Sequence, residues 1–193
     1  MFKYKVLFFI LSFLFLLNFN DGHSFVAILR IPGIDLYTKV YQYTDNKYYL
    51  EHDEYGNADK HGSVFLDYRN NLTDKKLLIF GHNSKSYNTK FKKLERYLLS
   101  DFFEEIENRY LYLEFDRMVF TYLIKSVLIV DNSSLHMYLK YNEEEWVNHI
   151  KWINSNSIYK SDINNDSDIL ILQTCLFDNP NGKYLLVVAE KFT

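Results

Sequence analysis

The sequence predicts a mainly β, α+β fold: a closed or nearly closed barrel with helices attached. Two observations predict it. Tyr and Phe number 17 and 16 against 6 Gly and 2 Pro, and aromatic side chains favour strands. Segments that read as strands also outnumber those that read as helices, and the two do not alternate as βαβ units would. Because hydrophobic residues make up 48% and charged residues 24%, a packed core is available and disorder is disfavoured. The 193 residues fit one domain plus a short leader. Composition also fits an AT-rich, Gram-positive source. With net charge -3 and no basic cluster, nucleic acid is disfavoured as a partner.

The leader comes first. Lys3 and Lys5 precede an apolar run from Val6 to Leu17, broken by Ser12 alone and followed by Phe19. A positive flank before such a run is an export signal, and no small-x-small cleavage site follows it. A buried core helix is the alternative, but a helix apolar on every side needs burial on every side. Residues 1–21 are therefore expected to form an uncleaved signal-anchor that crosses the cell membrane once. The lysines would be cytoplasmic and residues 22–193 would form one extracytoplasmic domain.

Within that domain, apolar and β-branched patterning marks strands at 25–31, 63–67, 76–80, 110–115, 119–130, 168–174 and 184–189. Residues 89–99 read as helical, with Phe91, Leu94 and Leu98 on one side. Residues 142–153 open on Asn142-Glu143-Glu144-Glu145, suited to a helix N-terminus, and carry Trp146, His149, Ile150 and Ile153 along one face. The Asn- and Ser-rich stretch 154–167 reads as a surface loop.

Two strand ends carry chemistry. Leu77-Leu78-Ile79-Phe80 runs into Gly81-His82-Asn83, and Ile169-Leu170-Ile171-Leu172 runs through Gln173-Thr174 to Cys175, the one cysteine. A lone cysteine forms no internal disulfide and builds no multi-thiolate metal site. Taken singly, His82 reads as a turn residue and Cys175 as a small buried hydrophobe. Taken together, an imidazole and a thiol delivered at the ends of buried strands suit nucleophilic catalysis. The order, His before Cys, is the reverse of papain-like enzymes.

These residues belong to a wider pattern. Ile31-Pro32-Gly33-Ile34-Asp35, Gly62-Ser63-Val64-Phe65-Leu66-Asp67-Tyr68-Arg69-Asn70, Ile79-Phe80-Gly81-His82-Asn83 and Thr174-Cys175 resemble, in order and spacing, the motifs of class B sortases. The resemblance covers roughly residues 28 to 190. It implies a closed β-barrel with a long helix before the cysteine strand, where 142–153 sits. It also implies a cysteine transpeptidase that cleaves a C-terminal sorting motif of secreted proteins. In that chemistry Cys175 forms a thioester, His82 acts as acid and base, and the acceptor is an amine of a cell-wall precursor or a pilin. Thr174 and Asn83 would contact substrate. No metal or cofactor is implied.

The chain departs from the family in two places. The family's arginine on the following strand is absent; aligning on Gly182 puts Lys183 in its slot, and aligning on Val187-Val188-Ala189 puts Tyr184 there. Both cannot serve, because one residue reverses the face of a strand. Lys183 is the expected substitute, with charge but without a planar fork. Residues 20–27 are also too few for the N-terminal helices usual in class B. Other features carry less. His52, Asp53, Asp59 and His61 match no standard metal spacing, Trp146 and Trp152 read as helix packing, and Tyr68 and Arg69 as a solvated turn. Ser84 and Ser86 sit on no nucleophile elbow. Two rival readings stay open: a thiol protease that only hydrolyses, and a sortase-like module that binds without catalysis.

Overall fold

A computed structural model of the chain describes residues 24–131, 135–176 and 182–192; the leader expected at residues 1–21 lies outside them. Among the described residues no helix is long and apolar enough to cross a membrane. The strands are β1 (Ser24–Ile31), β2 (Leu36–Gln42), β3 (Phe65–Leu66), β4 (Lys76–Phe80), β5 (Tyr110–Phe115), β6 (Met118–Val130), β7 (Ile169–Cys175) and β8 (Tyr184–Lys191). They close into a barrel in the order β1-β2-β3-β4-β7-β8-β6-β5, with β1 also pairing β5. Two neighbours are parallel, β2 with β3 and β4 with β7; the other pairs are antiparallel.

Turn chemistry sets several of these pairings. Pro32 opens a 3-10 turn, Pro32–Ile34, and Asp35 adopts a left-handed φ of 49° before β2 starts. Gly33 is required there because a Cβ would lie 2.5 Å from the Asn108 backbone. Between β5 and β6, Asp116 and Arg117 both take positive φ, the two-residue geometry that matches hairpin twist. The region 63–67 contracts to a two-residue β3, after which Asp67 stops the strand. Its buried carboxylate accepts from Arg69 Nε and Nη2 at 2.9 and 2.7 Å and from Asn46 Nδ2 at 2.9 Å. Asn70 adds a bond to the Lys76 carbonyl at 2.8 Å. The Asp67-to-Asn70 motif is thus a structural corner; Tyr68 and Arg69 are exposed on its turn, as expected, and Arg69 also pairs with Asp67.

Alternate residues face two cores. Leu29, Val40, Leu113, Leu170, Leu172, Leu185 and Val187 fill the barrel. Leu78, Phe80, Ile169, Ile171, Leu186 and Val188 face outward. That outer face is covered by Trp146, Ile150 and Ile153 of the helix Glu143–Asn156, so β4 and β7 are apolar on both sides. A capping box of Asn142 and Glu145 starts the helix. The segment 89–99 departs from its helical reading. It is a nine-residue 3-10 helix, Lys90–Leu98, burying Phe91, Leu94 and Tyr97. Those side chains recur every third residue, the 3-10 period, whereas the helical reading used Leu98. A short helix, Ser100–Glu104, and the strand β2 are also present without a mark in the sequence pattern.

A polar network lies between barrel and helix. Lys76, 2% exposed, donates to the carbonyls of His136 and Tyr138 at 2.7 and 2.8 Å. Its other neighbours are Tyr141 Oη and His149 Nε2, both at 3.0 Å. His136 Nε2 in turn donates to Gln173 Oε1 at 2.9 Å. The network ties residues 135–141 to β4 and β7. Burial lowers the imidazole pKa values from 6.5, to about 4 for His136 and about 3 for His149. Lys76 pushes both further down.

The unfolded chain therefore binds protons at these histidines near pH 6.5 while the fold does not. Their contribution is complete above that pH and is lost as pH falls toward 4. We expect urea unfolding to show stability dropping by on the order of 5 kcal/mol between pH 7 and pH 4.5, about half from each histidine, with a shallower slope in His136→Gln. Constant stability across this window would contradict the assignment.

Candidate active site

The parallel pairing of β4 with β7 assembles the site. Phe80 lies opposite Gln173, so His82 and Cys175 each follow two residues beyond the same rung. Neighbouring strands lie about 4.8 Å apart, and both chains leave the sheet at one rim. Hydrogen bonds extend the pairing past the last rung of the strand. Gly81 N–H donates to the Gln173 carbonyl at 3.2 Å, and the Thr174 hydroxyl donates to the Gly81 carbonyl at 2.7 Å. Thr174 is only 2% exposed, its hydroxyl committed to this contact. Gly81 is confined by Phe91, whose ring would lie 2.7 Å from an added Cβ.

His82 is half-buried. Its Nε2 lies 2.8 Å from the Leu50 carbonyl, which accepts only if Nε2 carries the proton. That bond fixes the ring against the 50–63 loop. A cavity of about 300 Å³ adjoins His82, lined in part by Thr38, Tyr41, Glu54 and His61. Cys175 is a free, exposed thiol at the rim. Its immediate surroundings are nevertheless desolvating enough to push the thiol pKa up. The thiolate is accordingly the minor form near neutral pH, and attack by sulfur calls for a base or a neighbouring charge.

Cys175 pairs across the sheet with Tyr184. Leu176 N–H donates to the Lys183 carbonyl at 2.9 Å, which makes 176 with 183 a hydrogen-bonded pair. The adjacent pair, Cys175 with Tyr184, is then the non-hydrogen-bonded kind, in which side chains share a face and approach closely. Burial, and after it Cys175, raises the Tyr184 phenol pKa. Lys183 lies just before β8. The cross-strand register therefore sets Tyr184, rather than Lys183, opposite Cys175. Asn83 reaches the cysteine through its side chain, donating to the Cys175 carbonyl at 3.0 Å and to Glu95 Oε1 at 2.7 Å.

Three participants carry no sequence motif: the Leu50 carbonyl, Glu95 and Gln173. Gln173 alone left a signal, as a polar residue in an apolar strand two positions before the cysteine. The residues weighed for a metal are spent locally. His52 stacks on Tyr48 at 4.0 Å, Asp53 accepts from Tyr55 and Asn57 backbone N–H groups, and His61 pairs with Asp59. A larger groove, about 1060 Å³ and lined in part by Arg69, Lys76, Tyr141 and Trp146, lies at the start of β4. That is about 20 Å of strand from His82, so it is not the site of this chemistry.

Comparison with known proteins follows the same line. The sortase domain family matches residues 29–192. Sortase B of Listeria monocytogenes is 25% identical over 173 residues, 86% of this chain and 68% of that protein. Sortase B of Staphylococcus aureus is 26% identical over 157 residues, 78% of this chain and 62% of that protein. The crystal structure of Clostridium perfringens sortase B superposes with a TM-score of 0.81 at 28% identity, covering 91% of this chain and 97% of that one. We expect Gly81→Ala to lose about 1–3 kcal/mol in urea unfolding, because the methyl meets the Phe91 ring, and Phe91→Leu to recover part of it. Unchanged stability in Gly81→Ala would contradict the tight packing behind His82.

Proposed function

This chain belongs to the sortase family, and on that premise we propose that Cys175 is its nucleophile and His82 its general acid and base. Its relatives make it a class B sortase, a cysteine transpeptidase. The observation that supports the residue assignment is the shared rim: the parallel pair β4–β7 ends on the rung Phe80–Gln173, and His82 and Cys175 each follow two residues later.

The chemistry follows in two halves. The Cys175 thiolate attacks the carbonyl carbon of a scissile peptide bond, and a tetrahedral oxyanion forms. As the C–N bond breaks, His82 in its imidazolium form gives a proton to the departing amide nitrogen, leaving an acyl thioester on Sγ. An incoming amine then attacks the thioester, His82 takes its proton, and the C–S bond breaks to return the thiolate. With water as the second nucleophile, the same site hydrolyses. The substrate is a secreted protein with a C-terminal sorting motif, and the acceptor an amine of a cell-wall precursor or a pilin. The charged flank and apolar run at residues 1–21 support a membrane anchor with the catalytic domain outside.

The arginine slot belongs to Tyr184 in this reading. Its phenol is a neutral donor on the Cys175 face, placed to meet the oxyanion or the substrate carbonyl. A phenol lacks the guanidinium's charge, so it stabilises the oxyanion by hydrogen bonding alone.

The test combines the purified domain, a pool of sorting-motif peptides and an added amine, with products read by mass spectrometry. Wild type should cleave the matching peptide and, with amine present, form the ligated product, whereas Cys175→Ala should do neither. Cleavage without ligation at any amine concentration would favour the hydrolase. A peptide bound equally by wild type and Cys175→Ala, without cleavage, would favour the binding module. Tyr184→Phe should lower kcat by about 100-fold, and Lys183→Ala should stay within about twofold of wild type because Lys183 does not stand opposite Cys175. The reverse ranking would return the slot to Lys183.

A further inference from the structure

The end of β7 is held by a side chain that the reaction above does not use. In the β4–β7 ladder Gly81 N–H reaches the Gln173 carbonyl. The next rung of a parallel ladder would run from residue 83 to the Cys175 carbonyl. That rung is made by the Asn83 side chain instead, with Nδ2 donating at 3.0 Å. The Cys175 carbonyl points this way because its own pair with Tyr184 is not hydrogen-bonded.

The amide's second proton goes to Glu95 Oε1 at 2.7 Å. Nδ2 therefore spends both protons on two acceptors, one of them a carboxylate, which strengthens the bond. Turning the amide over would set Oδ1 against that carboxylate and a carbonyl, so its orientation is determined. Oδ1 is buried and accepts no hydrogen bond, which leaves Nδ2 alone to hold the side chain. Glu95 stands on the 3-10 helix Lys90–Leu98, whose Phe91, Leu94 and Tyr97 are locked in the core. The same Phe91 abuts Gly81. One rigid segment thus fixes both the approach to His82 and the peptide that carries Cys175.

We propose that Asn83 and Glu95 form a positioning dyad: Asn83 replaces the missing backbone rung at Cys175, and Glu95 acts through Asn83 by holding its amide. Neither touches substrate. The proposal rests on Cys175 as nucleophile for its effect on rate, but not for its effect on the strand end.

The test uses Asn83→Ala, Glu95→Ala, Glu95→Gln and the double alanine variant, in single-turnover thioester formation at saturating peptide. Asn83→Ala should slow acylation by up to about 100-fold, as misplacement of a reacting group by an ångström can, with peptide KM within about twofold. Glu95→Ala should lose about tenfold, and Glu95→Gln, which keeps the accepting oxygen but not its charge, should stay within about twofold of wild type. The double variant should be no slower than Asn83→Ala, since residues in one network are not additive. Amide hydrogen exchange of the peptide spanning 170–176 gives a readout without substrate, expected to quicken in both alanine variants and not in Glu95→Gln.

Unchanged exchange in Asn83→Ala would overturn the dyad, whatever the activity. Additive losses in the double variant would overturn the relay through Asn83. A Glu95→Gln variant with intact acylation but poor transfer to amine would also overturn it, assigning the carboxylate to the incoming ammonium. Failure of wild type to form a thioester would instead count against Cys175, and exchange would still decide the dyad.

Discussion

Parallel pairing of β4 with β7 is the constraint on which the rest of this protein depends. Antiparallel neighbours would send their C-terminal ends to opposite rims and separate an imidazole from a thiol by the height of the barrel. Parallel neighbours need a long crossover, and here residues 81–168 supply it with β5, β6 and the helix Glu143–Asn156. The crossover is therefore the consequence of bringing His82 and Cys175 out of the sheet just beyond one rung. It also supplies the cover: the helix within it buries the outer face of the same two strands.

That arrangement explains why polar groups gather where they do. A sheet apolar on both faces tolerates few polar side chains, and most of their polar atoms find partners. Gln173 accepts from His136, and Lys76 gathers carbonyls and a hydroxyl at the base of the strand. The two contacts fasten residues 135–141 along the outer face beside the path to Cys175. At the rim, Thr174 and Asn83 do similar work between the two chain ends. Stability and the placement of Cys175 therefore both draw on polar contacts made along β4 and β7.

Much of this was legible in the sequence, for physical reasons. β4 and β7 are runs of Leu and Ile ended by polar residues, and a buried strand leaves that mark. His82 and Cys175 stand out because each terminates such a run. β2 leaves no clear mark in the sequence, because Val40 and Tyr41 are buried in succession, one toward each core, and so blur the alternation of apolar and polar residues. The segment Lys90–Leu98 leaves its period open in the sequence, since Phe91 and Leu94 fit a 3-10 helix and an α-helix alike and only Tyr97 against Leu98 separates them. The choice between Lys183 and Tyr184 needed the register of β7 with β8, which no local pattern carries. Glu95 with Asn83, and His136 with Gln173, are pairings across distant chain positions and were equally silent.

The central claim is that His82 and Cys175 leave one rung side by side, and a crosslink measures that most directly. Cys175 is the chain's one cysteine, so a His82→Cys variant holds two thiols and can form one internal bridge. Cα atoms on adjacent strands fall within the range that a disulfide spans, about 4.4–6.8 Å. Under mild oxidation the account predicts an intramolecular disulfide in a folded monomer, seen as the loss of two hydrogens in intact mass and as one bridged peptide after digestion. Two free thiols, or bridging only between molecules, would contradict it.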